Sequence, residues 1–233
     1  MKVVTVVRTR NEEKNIERFC RNYQWADQIL VADGGSEDNT VSIAKSMPKT
    51  KVRHFKKRKQ MKNGLWRNPQ GAHLNFMARW AEEEGADWII HDDCDCFPNY
   101  RIKEDARQIF RETRHDFVYA VRLYLWEDET HFPHMAKPAK GHKDWEASMW
   151  AWRASINIQF KDTDMAFTWK PKVPPEKRVN LMPPYCLLHC TWVDQERLKK
   201  KMKFYHESGQ IPNINHPLDY AGPIEELPKW AKE

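Results

Sequence analysis

No stretch of this 233-residue chain approaches the roughly 18 consecutive apolar residues that span a bilayer. The apolar run nearest the start, Val3 to Val7, opens at once into Arg8, which leaves no core for a cleavable secretory leader. The expectation is therefore a soluble, cytoplasmic chain. Cysteine is sparse: five residues, at positions 20, 94, 96, 186 and 190. An odd, scattered set excludes the disulfide framework of a small secreted domain. Cys94, Cys96, Cys186 and Cys190 are enough for a four-cysteine zinc site. However, Cys-x-Cys is tighter than the usual half-site and His189 interrupts the other half, so buried, reduced thiols are the better reading. Charge of one sign does not dominate either. Thirty-nine Lys and Arg against 33 Asp and Glu give +6, far from the bias of a nucleic-acid packaging protein. There is no internal repeat. What the chain has is a 40% hydrophobic fraction and 11 tryptophans, ample for a buried core.

The first hundred residues alternate strand and helix. Val3 to Val7 is a continuous β-branched run, the mark of a strand covered on both faces. Asn11-Glu12-Glu13 then starts a helix carrying Ile16, Phe19 and Tyr23 at helical spacing. Gln28 to Ala32 is a second strand, broken by Asp33-Gly34-Gly35-Ser36. A helix from about 38 to 46, a strand from 51 to 55, a basic loop from 56 to 70, a helix from 71 to 84 and a strand from 87 to 92 follow. This order predicts right-handed crossovers and a largely parallel sheet. Beyond Arg114 the texture changes. A strand is expected from 117 to 126, then an aperiodic His-, Pro- and Lys-rich loop from 127 to 143 and short tryptophan-dense strands between 145 and 169. An apolar patch from 185 to 190 precedes a helix from about 194 to 206, and the tail after 209 is expected to wrap the surface.

The sharpest feature is His91-Asp92-Asp93-Cys94-Asp95-Cys96 at the end of a predicted strand. In extended chain Asp93 and Asp95 point the same way, about 7 Å apart. Carboxylates about 5 Å apart repel by roughly 3 kcal/mol at an effective dielectric of 20. A hard divalent cation, Mn²⁺ or Mg²⁺, removes that penalty; a solvated acidic turn is the plainer alternative. Strand ends of an α/β sheet are also where ligands bind. Asp33-Gly34-Gly35-Ser36-Glu37-Asp38-Asn39-Thr40 ends the second strand. Its glycines allow a ligand close to the backbone and Asp33 can accept from a base N–H or a ribose hydroxyl, whereas Ser36 or Asp38 can simply cap the next helix. In the basic loop, most of Lys56, Lys57, Arg58, Lys59, Lys62 and Arg67 read as a solvated face, with one or two free to neutralise a diphosphate. Gly71 and Asn75 add a helix start that can meet the same phosphates.

Taken together, these segments resemble family 2 glycosyltransferases. Val3 to Ile16 is similar to that family's opening strand. Ile29 to Thr40 is similar to its V-D-G-G-S-x-D-x-T turn, Gly71 to Asn75 to its G-x-x-x-N helix start, and Asp93-Cys94-Asp95 to its D-x-D metal motif. The resemblance covers residues 3 to 97. It implies a GT-A fold, a Rossmann-like α/β architecture with a mostly parallel central sheet flanked by helices and a mixed acceptor-binding second half. It divides a single domain into a nucleotide-sugar half (1–97), an acceptor half (98–208) and a tail (209–233). It implies that Thr9, Arg10, Glu12, Asp33, Arg67, Asn75 and Asp93 line the nucleotide. Asp93 and Asp95 would hold Mn²⁺ or Mg²⁺, with His189 as third ligand or phosphate contact. The opening departs from the family pattern: Arg8 and Arg10 stand where Pro and Tyr are common.

The second half matches more loosely. Asp144-Trp145-Glu146 through Arg153, and Leu187-Leu188-His189 before a basic helix, resemble the branch acting on lipopolysaccharide-type acceptors. The implied activity is inverting, metal-dependent transfer from a nucleotide-sugar donor to a glycan or lipid-linked acceptor, with Asp144 as first choice of base, Glu146 as second, and Asp162 and Asp164 behind them. Trp145, Trp150, Trp152, Trp169 and Trp192 supply either core or a sugar platform. His131, His134 and His142 lack the spacing of a metal face. The Lys199–Lys203 segment suits either solvent or the inner face of an anionic membrane. Two rivals remain. A nucleotidyltransferase should carry a Gly-rich, basic loop after the first strand, where this chain has Asn11-Glu12-Glu13. A basic nucleic-acid binder should show a stacking signature, and none is visible.

Overall fold

The computed structural model describes residues 1–60, 66–135, 147–161, 173–207 and 221–232. In chain order the first half runs β1 (Val3–Thr9), α1 (Ile16–Asn22), β2 (Gln28–Asp33), α2 (Thr40–Ser46), β3 (Thr50–His54), β4 (Lys59–Gln60), β5 (Trp66–Arg67), α3 (Gln70–Glu83) and β6 (Trp88–His91). The second runs β7 (Cys96–Pro98), α4 (Tyr100–Glu112), β8 (Phe117–Trp126), β9 (His131–Met135), β10 (Ala147–Arg153), β11 (Arg178–Trp192), α5 (Gln195–Glu207), β12 (Ala221–Glu226) and α6 (Lys229–Lys232).

Eight strands form one sheet in the order β3-β2-β1-β6-β10-β8-β11-β7. The contiguous block β3-β2-β1-β6 is parallel throughout, and β8 with β11 is parallel too. β10 and β7 run against their neighbours. The sheet is thus mostly parallel, as the strand–helix alternation predicts.

Burial explains the β-branched run in β1. Val3 and Val7 face a cluster built from Ile16 and Phe19 of α1, Ile102, Ala106 and Phe110 of α4, and Trp150. Val4 and Val6 face the opposite cluster, where α3 brings Leu74, Met77 and Trp80. Covered on both sides, the strand has no use for alternation. Trp150 and Trp152 are fully buried in these clusters, so both are core residues and not sugar platforms. Trp145 and Trp169 lie outside the described residues. The five cysteines are buried and unpaired, and burial pushes Cys20 and Cys190 to about 11 and Cys186 to about 12, well into the neutral thiol range.

Several elements differ from the sequence reading. It assigns nothing between 97 and 114, where α4 stands. The signal was local: Asn99 caps the helix by accepting from the Ile102 N–H at 3.3 Å, and Ile102, Ala106 and Phe110 repeat every four residues on the buried face. The loop expected from 127 to 143 holds β9, which pairs antiparallel with β12 in the tail. That strand exists because of a partner about ninety residues away, for which the local sequence has no signal. The tail is correspondingly more than a surface wrap: Leu227 and Ala231 are buried, and the Trp230 carbonyl accepts from Asn99.

Candidate functional site

Four parallel strands end side by side. In register, Thr9 of β1 neighbours Asp33 of β2, and Asp33 neighbours His54 of β3. On the other side of β1, β6 leads directly into Asp92 and Asp93. This carboxyl edge is where an open parallel sheet receives ligands.

Over β2 and β3 lies a cleft of about 310 Å³ lined by Asp33, Gly34, Gly35, His54, Phe55, Lys56 and Arg58. Asp33 is buried, and its carboxylate accepts from the Gly35 N–H (2.9 Å), the Ser36 N–H and hydroxyl, and the Thr9 hydroxyl (3.4 Å). His54 Nδ1 sits 3.3 Å away. Burial alone would raise its pKa; these donors outweigh it and hold Asp33 below the usual carboxylate range. The loop is cross-stitched to the one after β1. Asn11 donates to the Ser36 hydroxyl and accepts from the Glu37 N–H, while Glu12 donates to Thr40. Asp38, not Ser36, serves the start of α2, by accepting from the Thr40 N–H. Gly35 has φ +94°, a conformation that suits glycine. Behind the cleft, Phe55 stacks on His73 at 4.1 Å. Burial, aided by the Arg8 cation, lowers His73 to about 4, so it is a neutral ring, with Nε2 3.0 Å from the Ala32 carbonyl.

The D-x-D segment is not the extended chain expected from sequence. It is a tight turn closed by the Cys96 N–H donating to the Asp93 carbonyl at 2.9 Å. The two carboxylates therefore have different surroundings. Asp93 is about a third exposed and flanked by two guanidinium groups, Arg8 Nη2 and Arg122 Nη1, each at 3.5 Å. Burial raises it, but Arg8 and Arg122, with His189 and His91, bring it well below the carboxylate range. Asp95 is buried and faces His189 Nε2 at 3.1 Å and Arg197 Nη2 at 3.8 Å. Arg197, from α5, also holds Glu12. Under the turn, fully buried Asp92 accepts from the Tyr23 hydroxyl and from Arg122, both at 2.8 Å. Burial raises its pKa despite Arg122.

Among the described residues no three His, Cys, Asp or Glu side chains converge into a ready-made cation cage. The donors still suit Mg²⁺ or Mn²⁺, which take one or two protein ligands and complete their shell with water and substrate phosphate. Two neighbouring ligands of an octahedral ion at about 2.1 Å stand roughly 3.0 Å apart, and Asp95 Oδ1 and His189 Nε2 are 3.1 Å apart. His189 Nδ1 is buried without a hydrogen-bond partner among the described residues, and the ring is held by its Asp95 contact and by packing against Tyr124 at 4.9 Å. Asp95 and His189 fit the cation. Asp93 stands between the Arg8 and Arg122 guanidinium groups.

Other sequence-predicted residues are placed as follows. Thr9 is buried, with its hydroxyl on Asp33 and its carbonyl accepting from the Gly34 N–H. Arg10 is exposed at the loop start. Glu12 is engaged by Arg197 and Asn15. Asn75 is bound elsewhere: its amide donates to the Phe160 carbonyl and accepts from the Phe160 N–H, both at 2.8 Å. Of Arg67 only the backbone, in β5, is described, and Asp144, Glu146, Asp162, Asp164 and His142 lie outside the described residues. His131 bonds Asp128 in a local turn. The sequence reading missed Arg8, Arg122 and Arg197 as site residues. Arg8 was visible as a departure from the family pattern; the other two are brought in by β8 and α5 from far along the chain.

Residues 5–170 match the family described as Glycosyl transferase family 2. This chain belongs to that family. Curated proteins give no significant sequence match. Among solved structures, S. aureus TarS residues 1–349 superposes with a TM-score of 0.52 at 15% identity, covering 89% of this chain and 65% of that one. The same fragment in complex with UDP-GlcNAc gives 0.52 at 15% identity, covering 81% and 58%. Glucosyl-3-phosphoglycerate synthase from Mycobacterium tuberculosis, in complex with Mn²⁺, UDP and glucosyl-3-phosphoglycerate, gives 0.40 at 19% identity over 52% of this chain and 44% of that one. The TarS likeness shows the fold: a GT-A glycosyltransferase sheet. The chain spans 65% or less of the length of each of these structures.

Proposed function

We propose that this chain moves a glycosyl group from a nucleoside-diphosphate sugar to an acceptor hydroxyl, with inversion and with help from a divalent cation. The observation that carries the reading is the Asp95–His189 pair at the D-x-D turn, two strands over from the Asp33 cleft on the carboxyl edge of the sheet. The nucleoside end lies in the cleft against Phe55, with Asp33 as acceptor. Asp93 takes a hydroxyl of the same ligand. Asp95 and His189 hold Mn²⁺ or Mg²⁺, which when bound acts as a Lewis acid on the departing diphosphate. A carboxylate, Asp144 before Glu146, removes the acceptor proton as the new C–O bond forms and the sugar–phosphate bond breaks, its electron pair leaving with the diphosphate. The UDP-GlcNAc complex of TarS supports UDP as the first nucleotide to try. A lipopolysaccharide-type or lipid-linked acceptor rests on the sequence resemblance of the second half. Membrane contact would use α5, where Lys199 pairs with Glu196 and Lys203 with Glu207 on the solvent side; no helix among the described residues is long and apolar enough to cross a membrane.

The test is thermal stability with UDP, GDP, CDP and dTDP, each with Mn²⁺ or EDTA. Ligand at about 100 times its dissociation constant adds roughly 2.7 kcal/mol, a rise of roughly 5–10 °C for a chain this size. The expected outcome is a shift for one nucleotide that is larger with Mn²⁺, the Mn²⁺-dependent part vanishing in Asp95→Asn. No shift with any of the four, in folded protein, rejects the reading.

A further inference from the structure

We propose that Arg8 is a phosphate anchor: its guanidinium takes the diphosphate of the donor, giving this chain a component of nucleotide binding that needs no metal. The inference rests on the nucleotide-sugar reading of the site and names a residue that reading does not use.

Position comes first. Arg8 stands near the carboxyl end of β1, between the β2 end that builds the cleft and the β6 end that carries the D-x-D turn. A ligand with its base in the cleft and its phosphates at Asp95 and His189 must cross two strand spacings, roughly 10 Å. It crosses over β1. A cation standing there meets whatever links the two ends of the ligand, and in a nucleoside diphosphate that link is ribose and phosphate.

The competing account is a structural ion pair between Arg8 and Asp93, and its geometry is weak. The 3.5 Å separation exceeds the roughly 2.7–2.9 Å of a good charge-assisted bond. Both side chains are about a third exposed, where such pairs contribute little to stability. Asp93 also has a second cation in Arg122, which Asp92 locks in place at 2.8 Å. Arg8 differs from Arg122 in that only its Nη2 has a partner among the described residues. Its remaining N–H donors keep the fork that grips phosphate. A partly exposed cation that is loosely paired and carries spare donors is arranged for an incoming anion.

The experiment is calorimetric titration in EDTA of each nucleoside and its diphosphate (uridine and UDP first, then the guanosine, cytidine and thymidine pairs) into wild type, Arg8→Gln, Arg8→Lys and Lys45→Gln. Lys45→Gln makes the same charge change on exposed α2, away from the site. The readout is the ratio of diphosphate to nucleoside affinity. Wild type is expected to prefer the diphosphate without metal, and Arg8→Gln to lower that preference roughly tenfold to a hundredfold, the worth of a hydrogen bond to a charged group. Nucleoside affinity should hold, Arg8→Lys should fall between, and Lys45→Gln should match wild type. An unchanged ratio in folded Arg8→Gln overturns the proposal, as does an equal loss in Lys45→Gln. Should Arg8→Gln not fold, the wild-type ratio in EDTA and that of Arg8→Lys still decide. A wild type that prefers the diphosphate only when Mn²⁺ is added removes the anchor and leaves the glycosyltransferase reading intact. No binding of any pair, with or without Mn²⁺, removes both.

Discussion

Asn75 separates two accounts of this protein most cleanly. By its place in the G-x-x-x-N segment it should touch the nucleotide; by its geometry it is a brace. Its side-chain amide makes two 2.8 Å hydrogen bonds to the backbone of Phe160, pinning the segment after β10 to α3. Phe160 itself is buried against Trp152. Replacing Asn75 with Ala removes both bonds and strands a backbone N–H and a carbonyl in a partly dry setting. Each bond contributes about 1 kcal/mol net, and each stranded group adds desolvation, so the expected loss is about 2–4 kcal/mol. At about 2–4 °C per kcal/mol for a chain of this length, the melting temperature should fall by roughly 5–15 °C. Urea unfolding gives the free energy, and titration with the nucleotide of the thermal screen gives the affinity. The brace account expects lower stability and a dissociation constant within about twofold of wild type, tested well below the melting point. A variant as stable as wild type that binds tenfold more weakly would refute the geometric reasoning and restore Asn75 to the nucleotide.

Two further outcomes follow from the cleft. His73 has a folded pKa of about 4 against an ordinary 6.5, so the folded state holds fewer protons than the unfolded state between those values. Its stability contribution is complete above pH 6.5 and is lost as pH falls toward 4. Wild type should therefore lose about 2 kcal/mol more than His73→Gln between pH 7.5 and 5 in urea unfolding; parallel losses would show that His73 is not held neutral. At Gly34, an added Cβ would lie 2.6 Å from Asn68 Oδ1 and 3.3 Å from the Thr9 carbonyl, and Asn68 is itself held by its bond to the Lys57 carbonyl. Gly34→Ala should cost roughly 1–3 kcal/mol by overpacking. Gly34→Ala with Asn68→Ala should recover most of that loss, whereas strictly additive losses would place the strain elsewhere.

The sequence determined the parallel half of this protein. Val3 to Val7 and Gln28 to Ala32 are too uniformly apolar for a one-sided sheet, and the helical spacing of Ile16, Phe19 and Tyr23 sets the first crossover. Those patterns are local and strong, and they place Asp33 and the D-x-D turn at one edge without any structure. α4 is equally local in its Asn99 cap and four-residue apolar repeat. β9 was not legible, because a strand made by pairing with residues about ninety positions later has no signature of its own. The division of labour at the site belongs to tertiary structure for the same reason. Sequence spacing puts Asp93 and Asp95 on an equal footing. The turn at Cys94 separates them, β8 and β1 bring Arg122 and Arg8 to the first, and β11 and α5 bring His189 and Arg197 to the second. Local pattern fixes where a chain turns and which face it buries, whereas the charge that reaches a carboxylate depends on which distant strands pack beside it.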